Sequence, residues 1–416
     1  MIATSLKDSI VTAVDSNEDL LLQISKFIHS HPESNYQEFE CSKYLSEQLS
    51  ALGFKVEYPF CGVQTAFRAM LPTMVGNKGP HVAILAEFDA LSVTMPDGSS
   101  SIVHACGHNL NCSAAVGAGI ALKKVSQELR GTVSIIGTPA EEGGGGKVAL
   151  LDAGAFDGVD AILTVHGDQR DWYTVARACS AGEFLHVTFL GHPASDGYSR
   201  NYVSATDAAV LFLTVLGFLD SRLTPDSLIQ RKLLPAAHAV NTIPLECSVD
   251  VQIRSGDESY LERVKAQVVQ AAEGVARALG AQARVEPKGY RYERIIENKT
   301  LEEAAKGCIE SLGHKFTYDE PSPYPFGTDT GNLSHHIPTV QFLIGRPEGF
   351  KFHTPEAVEQ SISDSAQDMM IESAKILAVT TAEILLNPDV SARAKEELDR
   401  YRRTAFADIY SWHRKM

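Results

Sequence analysis

Short apolar runs that each end in a polar loop constrain the fold of this chain more than any other feature. Four such runs occur. The residues that directly follow them are acidic residues, histidine, glycine, arginine or threonine–proline. They extend from Val82 to Ala86, from Val133 to Gly137, from Ala161 to Val165 and from Val340 to Ile344. Continuous apolar runs of this length are typical of strands that are buried on both faces.

Segments with the apolar spacing of helices alternate with these runs. They extend from Cys41 to Leu52, from Ala114 to Val125, from Leu301 to Leu312 and from Ala366 to Leu386. The alternation of strand, polar loop and helix predicts an α/β fold, with a mostly parallel sheet and helices on both faces. Such sheets bind ligands beyond the carboxyl ends of their strands, which is where the polar residues of this chain fall.

Residues 182–293 follow a different pattern. Apolar and polar residues alternate around Val249 and Val251, which predicts a half-buried strand, and the apolar residues from Leu261 to Leu279 keep helical spacing. We therefore expect an inserted α+β domain at 182–293, and a discontinuous catalytic domain formed by 1–181 and 294–416. A length of 416 residues agrees with two domains, since single cores stop growing near ~250–300 residues.

Charge and composition exclude several classes of function. The chain has 52 acidic and 37 basic residues and a formal net charge of −15. This excess argues against a nucleic-acid or anionic-membrane partner, since both require a basic surface.

No apolar run approaches the ~18 residues that would span a membrane. The seven cysteines show no disulfide spacing and the N-terminus lacks signal-peptide features, so we expect a reduced, cytoplasmic protein. The apolar spacing near the N-terminus instead predicts an amphipathic helix that includes Ile10, Val14 and Leu21.

The segment HACGHN at 104–109 is the first sign of chemistry. Cys106 and His108 supply a thiolate and an imidazole two residues apart, and both are good ligands for zinc. Taken alone, a buried cysteine near a structural histidine is the commoner explanation of such a segment. The hypothesis of a metal site therefore depends on the other polar loops.

Two adjacent carboxylates, Glu141 and Glu142, follow another apolar run and precede four glycines. One carboxylate can bind a metal ion while its neighbour holds a water molecule, although a flexible acidic loop is the alternative. His166 directly follows a third run, and His353 lies in the segment FKFHTPE. A thiolate, a carboxylate and three imidazoles at strand ends suit a site for two metal ions.

Four stretches of this sequence resemble one protein family. They are LAEFDAL at 85–91, HACGHNL at 104–110, GTPAEEGGGGK at 137–147 and GAFDGVDA at 154–161. The family is the amidohydrolase branch of the dinuclear zinc aminoacylase and glutamate carboxypeptidase metallopeptidases, which includes hippuricase, auxin-conjugate hydrolases and aminobenzoyl-glutamate hydrolases. The chain is most similar to the aminoacylase-like dipeptidases, and the resemblance covers nearly its whole length.

This resemblance implies two divalent metal ions, with zinc as the first expectation and manganese or cobalt as alternatives. It implies that Cys106 bridges the ions and that four further residues complete the metal shells. These residues are His108, Glu142, His166 and His353.

Two further residues match the catalytic machinery of the family. Glu141 matches its general base. Asp89 matches an aspartate that orients a metal-site side chain, with a simple turn or helix cap as the alternative.

The resemblance also implies that the inserted domain forms a homodimer and helps to complete the substrate site. Asn241 matches a residue that contacts the substrate, and Arg254 matches one that pairs with its free carboxylate, although a surface arginine is the alternative. Asp329 and Thr330 match another loop near the substrate. One position departs from the family pattern, since Ser195 stands where a histidine usually stabilises the developing oxyanion.

We therefore expect a metal-dependent hydrolase that cleaves the amide bond of N-acyl amino acids or dipeptides. Metal-activated water would attack the amide carbonyl, with Glu141 as the general base. Ser195 keeps a second hypothesis open, in which a divergent family member forms or rearranges an amide in a biosynthetic pathway. A non-enzymatic binding protein is a third hypothesis, and the complete set of ligands counts against it.

Overall fold

The computed structural model describes residues 1–71, 79–177, 179–193, 202–234, 242–318 and 326–413, with side chains described as far as residue 404. The described residues divide into two compact units. The first lies within Met1–Arg177, Ile296–Glu320 and Asn332–Met416, and the second lies within Ala178–Ile295 and Pro321–Gly331. The domain boundaries expected from the sequence, at 182 and 293, stay a prediction.

The helices and strands alternate along most of the chain. From the N-terminus to residue 175 they are α1 (Thr4–Asp15), α2 (Glu18–Ser30), α3 (Phe39–Ala51), β1 (Lys55–Glu57), β2 (Phe67–Met70), β3 (His81–Ala86), β4 (Leu91–Thr94), β5 (Ser100–Val103), α4 (His108–Lys124), β6 (Thr132–Gly137), α5 (Gly146–Asp152), β7 (Ala161–Asp168) and β8 (Tyr173–Val175). From residue 181 onward they are β9 (Ala181–Leu190), α6 (Ala205–Asp220), β10 (Ser227–Leu233), β11 (Glu246–Ser255), α7 (Glu258–Leu279), β12 (Gln282–Pro287), α8 (Lys299–Ser311), α9 (Thr330–Ser334), β13 (Thr339–Gly345), α10 (Pro355–Gln360), α11 (Asp364–Leu386) and α12 (Pro388–His413).

A seven-stranded sheet forms the centre of the first unit, with the strand order β1-β2-β6-β3-β7-β13-β8. The four central strands, β6, β3, β7 and β13, are parallel to one another. The strands at both edges, β1, β2 and β8, pair antiparallel. The predicted α/β fold with a mostly parallel sheet is confirmed, and the four predicted runs are its central strands.

Helices cover both faces of this sheet. Val82 and Ile84 of β3 belong to a large core that includes residues of α1, α2, α4 and α11, whereas Ala83 and Leu85 belong to a smaller core on the other face. Helix α4 packs closely in the larger core, because a Cβ atom at Gly117 would lie only 2.7 Å from a methyl carbon of Leu21 on α2. The sheet is therefore buried on both sides, as its continuous apolar runs indicate.

The second unit has an antiparallel sheet with the strand order β10-β11-β9-β12, and α6 and α7 pack against it. Alternate residues of β11, which are Val249, Val251 and Ile253, are buried in this core. This is the half-buried strand that the alternation predicted. Strand β10 has no such pattern, because Ile229 is its only fully buried residue.

The N-terminal segment differs from the expected single helix. It forms two helices, α1 and α2, separated at Ser16 and Asn17, where the Asn17 side chain donates a hydrogen bond back to the carbonyl of Ala13 at 2.8 Å. Ile10, Val14 and Leu21 are nevertheless all buried, so the apolar periodicity continues across the break. None of the helices in the described part of the chain is long and apolar enough to cross a membrane.

Candidate metal centre

Polar side chains gather beyond the carboxyl ends of the central parallel strands. Asp89 follows β3, and Glu142 follows β6. His166 lies near the end of β7, and His353 lies in the loop after β13. A further contribution comes from the N-terminus of α4, where Cys106 precedes the helix. The topology of the parallel sheet is what brings these distant segments together.

The thiol of Cys106 lies between two imidazoles. Its Sγ atom is 3.4 Å from Nε2 of His166 and 3.3 Å from Nε2 of His353. The Nδ1 atom of His166 lies 2.9 Å from the carbonyl oxygen of Gly167, so we assign the proton of this ring to Nδ1. The Nε2 atom of His166 faces the thiol, and in the neutral ring its lone pair would be available to a shared metal ion.

Asp89 fixes the orientation of His108. The Nδ1 atom of His108 lies 3.0 Å from both the carbonyl oxygen and Oδ1 of Asp89, so Nδ1 is the protonated nitrogen. Its Nε2 atom is buried and makes no hydrogen bond among the described residues. This atom lies 3.6 Å from Oε2 of Glu87 and 4.0 Å from Oε2 of Glu141. A buried, unbonded imidazole nitrogen that faces carboxylates fits a metal ligand.

Asp89 also holds the loop that carries Glu141, the predicted base, and Glu142, a predicted metal ligand. Its Oδ2 accepts a hydrogen bond from the backbone N–H of Glu142 at 2.9 Å. The Oε1 atom of Glu142 is buried without a hydrogen bond among the described residues and lies 3.4 Å from Nε2 of His353. A cation between these two atoms would satisfy both, which is a second sign that the donor set fits a metal.

Among the described residues, three overlapping groups of side chains have donor atoms within 4.8 Å of one another. The groups are Cys106 with His108 and His166, Cys106 with Glu142 and His353, and His108 with Glu141 and Glu142. All five predicted ligands and Glu141 therefore lie in one cluster. The assignment of each as a ligand or a base stays a prediction.

The charges of the cluster favour the thiolate form of Cys106. Burial and the charge of Glu142 raise the pKa of this thiol, but His166 and His108 outweigh them and lower the pKa to about 6. Burial lowers the pKa of His166, whereas Cys106 raises it, and the net result is a pKa of about 9. The thiolate is the form of cysteine that binds metal ions.

The loop after β6 has restricted backbone conformations and close contacts. Ala140 has a φ of 59°, which is rare for a residue with a side chain. Gly145, with a φ of 67°, precedes α5. A Cβ atom at Gly146 would lie 1.7 Å from the carbonyl oxygen of Pro139. The glycines therefore serve conformation and close packing at this position.

A segment near the N-terminus holds the same loop through its backbone. The side-chain amide of Asn35 donates to the carbonyl of Glu142 at 2.6 Å, and the hydroxyl of Tyr36 donates to the carbonyl of Gly144 at 2.9 Å. The carboxylate of Glu38 accepts from the N–H of Ala140 at 2.9 Å. We call Asn35, Tyr36 and Glu38 the N-terminal clamp. It was not predicted from the sequence, because side chains that bind backbone groups leave no pattern of residue types at their target.

A buried ion pair beside the cluster was also missed. The Nζ atom of Lys147, on α5, lies 2.8 Å from Oε1 of Glu87, and both side chains are buried. The side-chain amide of Asn111 donates to Oε2 of Glu87 at 3.1 Å. The motifs LAEFDAL and GTPAEEGGGGK contain Glu87 and Lys147, but no spacing in the sequence pairs one with the other.

The predicted substrate residues are only partly described. Arg254, Asp329 and Thr330 belong to the second unit, whereas Asn241 and Ser195 lie outside the described residues. The roles of all five stay predictions.

Arg254 and the segment around Thr330 have polar surroundings within the second unit. Arg254 is half-buried on β11. When the side-chain amide of Gln252 is oriented so that its hydrogen bonds are satisfied, its oxygen accepts hydrogen bonds from Nη2 and Nε of Arg254 at 3.0 and 3.1 Å. Asp329 and Thr330 are fully buried, and the N–H of Thr330 donates to Oγ1 of Thr328 at 3.2 Å. The contact with Gln252 holds the guanidinium in a defined direction.

Comparison with known proteins adds independent information. The family model described as Peptidase family M20/M25/M40 matches residues 83–369. The Xaa-Arg dipeptidase of Mus musculus is 29% identical, and the alignment covers 94% of this chain and 92% of that protein. The N-acetyl-L-cysteine deacetylase of Bacillus subtilis (strain 168) is 23% identical, with 90% of this chain and 92% of that protein covered.

A solved structure from Bacillus subtilis, described as a dinuclear metal binding peptidase from the M20 family, has a similar fold. Its TM-score is 0.61 at 23% identity, and the match covers 89% of this chain and 99% of that one. At this level of identity the similarity supports the fold.

Proposed function

The chain belongs to peptidase family M20/M25/M40 and is a hydrolase that acts on carbon–nitrogen bonds, and from this premise we propose that it cleaves the amide bond of N-acyl amino acids or dipeptides with two divalent cations. The family and enzyme class predicted from the motifs are confirmed. The names of the dipeptidase and deacetylase relatives support an amide substrate. The observation that carries the proposal is the position of the Cys106 thiol between two groups of metal donors.

We propose that Cys106 contacts both cations and that two ligands complete each side. His108 and His166 would hold one cation, and Glu142 and His353 would hold the other. Thiolate and imidazole donors favour zinc, while manganese and cobalt are alternatives. When bound, the cations would polarise the amide carbonyl and lower the pKa of a water molecule.

Glu141 is the proposed general base. Its carboxylate lies at the edge of the cluster, with Oε2 4.0 Å from Nε2 of His108, and its side chain is partly exposed. A carboxylate in this position can accept a proton from the attacking water and deliver it to the leaving amine. Asp89 supports this step indirectly, because it holds the ring of His108 and the backbone of Glu142.

The substitution E141Q tests this role. It should lower kcat by roughly 100-fold or more, because general base catalysis contributes at least that factor. Two cations per chain should remain bound, as measured by elemental analysis. The matched control is E359Q, which changes an exposed glutamate on α10 and should retain wild-type turnover. Normal turnover of a panel of N-acyl amino acids and dipeptides by E141Q would exclude this base.

The rest of the proposal concerns the substrate and the assembly. We propose that Arg254 pairs with the free carboxylate of the substrate, a role that its half-buried guanidinium supports. Exposed apolar residues on α6, Val210 and Phe218, support a homodimer through the inserted domain. A strictly monomeric protein in sedimentation experiments would contradict the dimer. All seven cysteines are free of disulfides, which supports a cytoplasmic location.

A further inference from the structure

Glu87 and Lys147 form an ion pair to which the proposed reaction assigns no role. The Nζ atom of Lys147 lies 2.8 Å from Oε1 of Glu87, and the two side chains are 0% and 2% exposed. Burial of two charges carries a large desolvation cost, and apolar residues of similar volume often give equal or greater stability. Fold stability alone therefore does not account for this pair.

The second oxygen of Glu87 faces the metal centre. Its Oε2 atom lies 3.6 Å from Nε2 of His108, the buried nitrogen that makes no hydrogen bond among the described residues. Two ligand atoms on one tetrahedral zinc ion lie about 3.3 Å apart, since each bond is about 2.0–2.1 Å long. The observed separation is close to this value, so one cation can contact both atoms after a small adjustment.

The partners of Glu87 leave this oxygen directed at the cluster. Lys147 binds Oε1, while Oε2 accepts a hydrogen bond from Nδ2 of Asn111 at 3.1 Å. An ionised carboxylate oxygen has more than one lone pair, so Oε2 can accept this bond and still bind a cation. Lys147 and Asn111 thus fix the rotamer of Glu87 without occupying the side that faces His108.

We propose that Glu87 is an additional carboxylate contact for the divalent cation held by His108, and that Lys147 and Asn111 position it. This inference rests on the proposed two-cation function. The inference concerns the affinity of the site for a metal ion and does not depend on how the amide is hydrolysed. The test therefore measures metal binding instead of turnover.

The double variant E87Q/K147M removes both charges together, so that neither is left buried alone. Zinc binding to the metal-stripped full chain is measured by competition with a chromogenic chelator, and stoichiometry by elemental analysis. We expect the affinity for one of the two ions to fall by about tenfold or more and the affinity for the other to stay constant. The matched control, E57Q/R68M, removes an ion pair of the same unit with a separation of 2.9 Å and should bind zinc normally.

Wild-type affinity for both ions in E87Q/K147M would overturn the inference. A wild-type chain that binds no zinc, manganese or cobalt would instead reject the proposed function, so the two failures are distinguishable.

A second variant keeps the inference testable if the double variant does not fold. E87D retains the charge and the lysine partner but withdraws the carboxylate by one methylene. We expect weaker binding of the same single ion and a changed visible absorption of the cobalt-loaded protein. Affinity and absorption identical to those of the wild type would overturn the proposal.

Discussion

The two sides of the proposed metal centre differ in their exposure to solvent. On one side, the side chains of His108 and Glu87 are 0% and 2% exposed. On the other side, His353 is 50% exposed and Glu142 is 11% exposed. The thiol of Cys106 lies between them. We call these the buried side and the open side of the centre.

Burial explains why the buried side has more protein partners. A buried charge without a partner is costly, and Asp89 and Lys147 supply partners for His108 and Glu87. The ring of His353 is half exposed and contacts Cys106 and Glu142, and its backbone N–H donates to the carbonyl of Ala105 at 2.8 Å. The protein therefore fixes the charges of one side and leaves the other side accessible.

The largest expected effect comes from C106A, which removes the atom shared by the two sides. Both sides should lose a ligand, so zinc affinity should fall by more than the roughly 100-fold seen for residues that act indirectly. Elemental analysis after dialysis should find less than one zinc per chain. C112A is the matched control. Cys112 is buried as Cys106 is, and it lies on α4, but it belongs to none of the donor groups. Loss of a single ion would mean that the thiol serves only one side.

An intermediate effect should separate H108N from H353N. Asparagine is chosen because it tolerates the φ of 61° at His353. In the metal-free chain, H108N should lower the free energy of unfolding by about 3 kcal/mol or more, since it leaves buried carboxylates without their partner. H353N should cost about 1 kcal/mol or less, because solvent reaches that side. Urea unfolding followed by circular dichroism measures both, and equal losses would contradict the comparison.

The smallest expected effect concerns the N-terminal clamp, which holds the loop that carries Glu141 and Glu142. Y36F removes one hydrogen bond and should lower the free energy of unfolding by about 1 kcal/mol. We expect kcat to fall several-fold with both ions still bound, because the loop shifts the carboxylate of the proposed base Glu141. Y58F serves as control, since the Tyr58 hydroxyl contacts Ser42 instead. A lower stability with unchanged kcat would limit the clamp to a structural role.

The central part of the fold could be predicted from the sequence because burial dictates its pattern. Strands β3, β6, β7 and β13 are buried on both faces, so most of their residues are apolar, and Ser134, Thr164 and Gln341 are buried exceptions. The edge strands β1 and β8 have only three residues each, which is too short for any periodicity. The break between α1 and α2 was missed because the buried positions continue across it.

The donor cluster was predictable for a different reason. Metal ligands belong to few residue types, so Cys106 and His108 at the start of α4 and His166 near the end of β7 are conspicuous. The roles of Glu87 and Lys147 could not be predicted in this way, since a glutamate and a lysine are common residues. Their meaning depends on burial and on a distance of 2.8 Å, which only the folded chain defines.

The glycines after Glu142 bear on the mutational tolerance of the loop. Gly145 is restricted by its backbone conformation, with a φ of 67°. Gly146 is restricted by space, because any side chain would collide with the carbonyl oxygen of Pro139. The two neighbours therefore resist substitution for independent reasons, and a change at one cannot be compensated at the other. Random mutagenesis of this loop should recover asparagine as the main replacement at Gly145 and no replacement at Gly146, so the two neighbours differ in the residues that they admit.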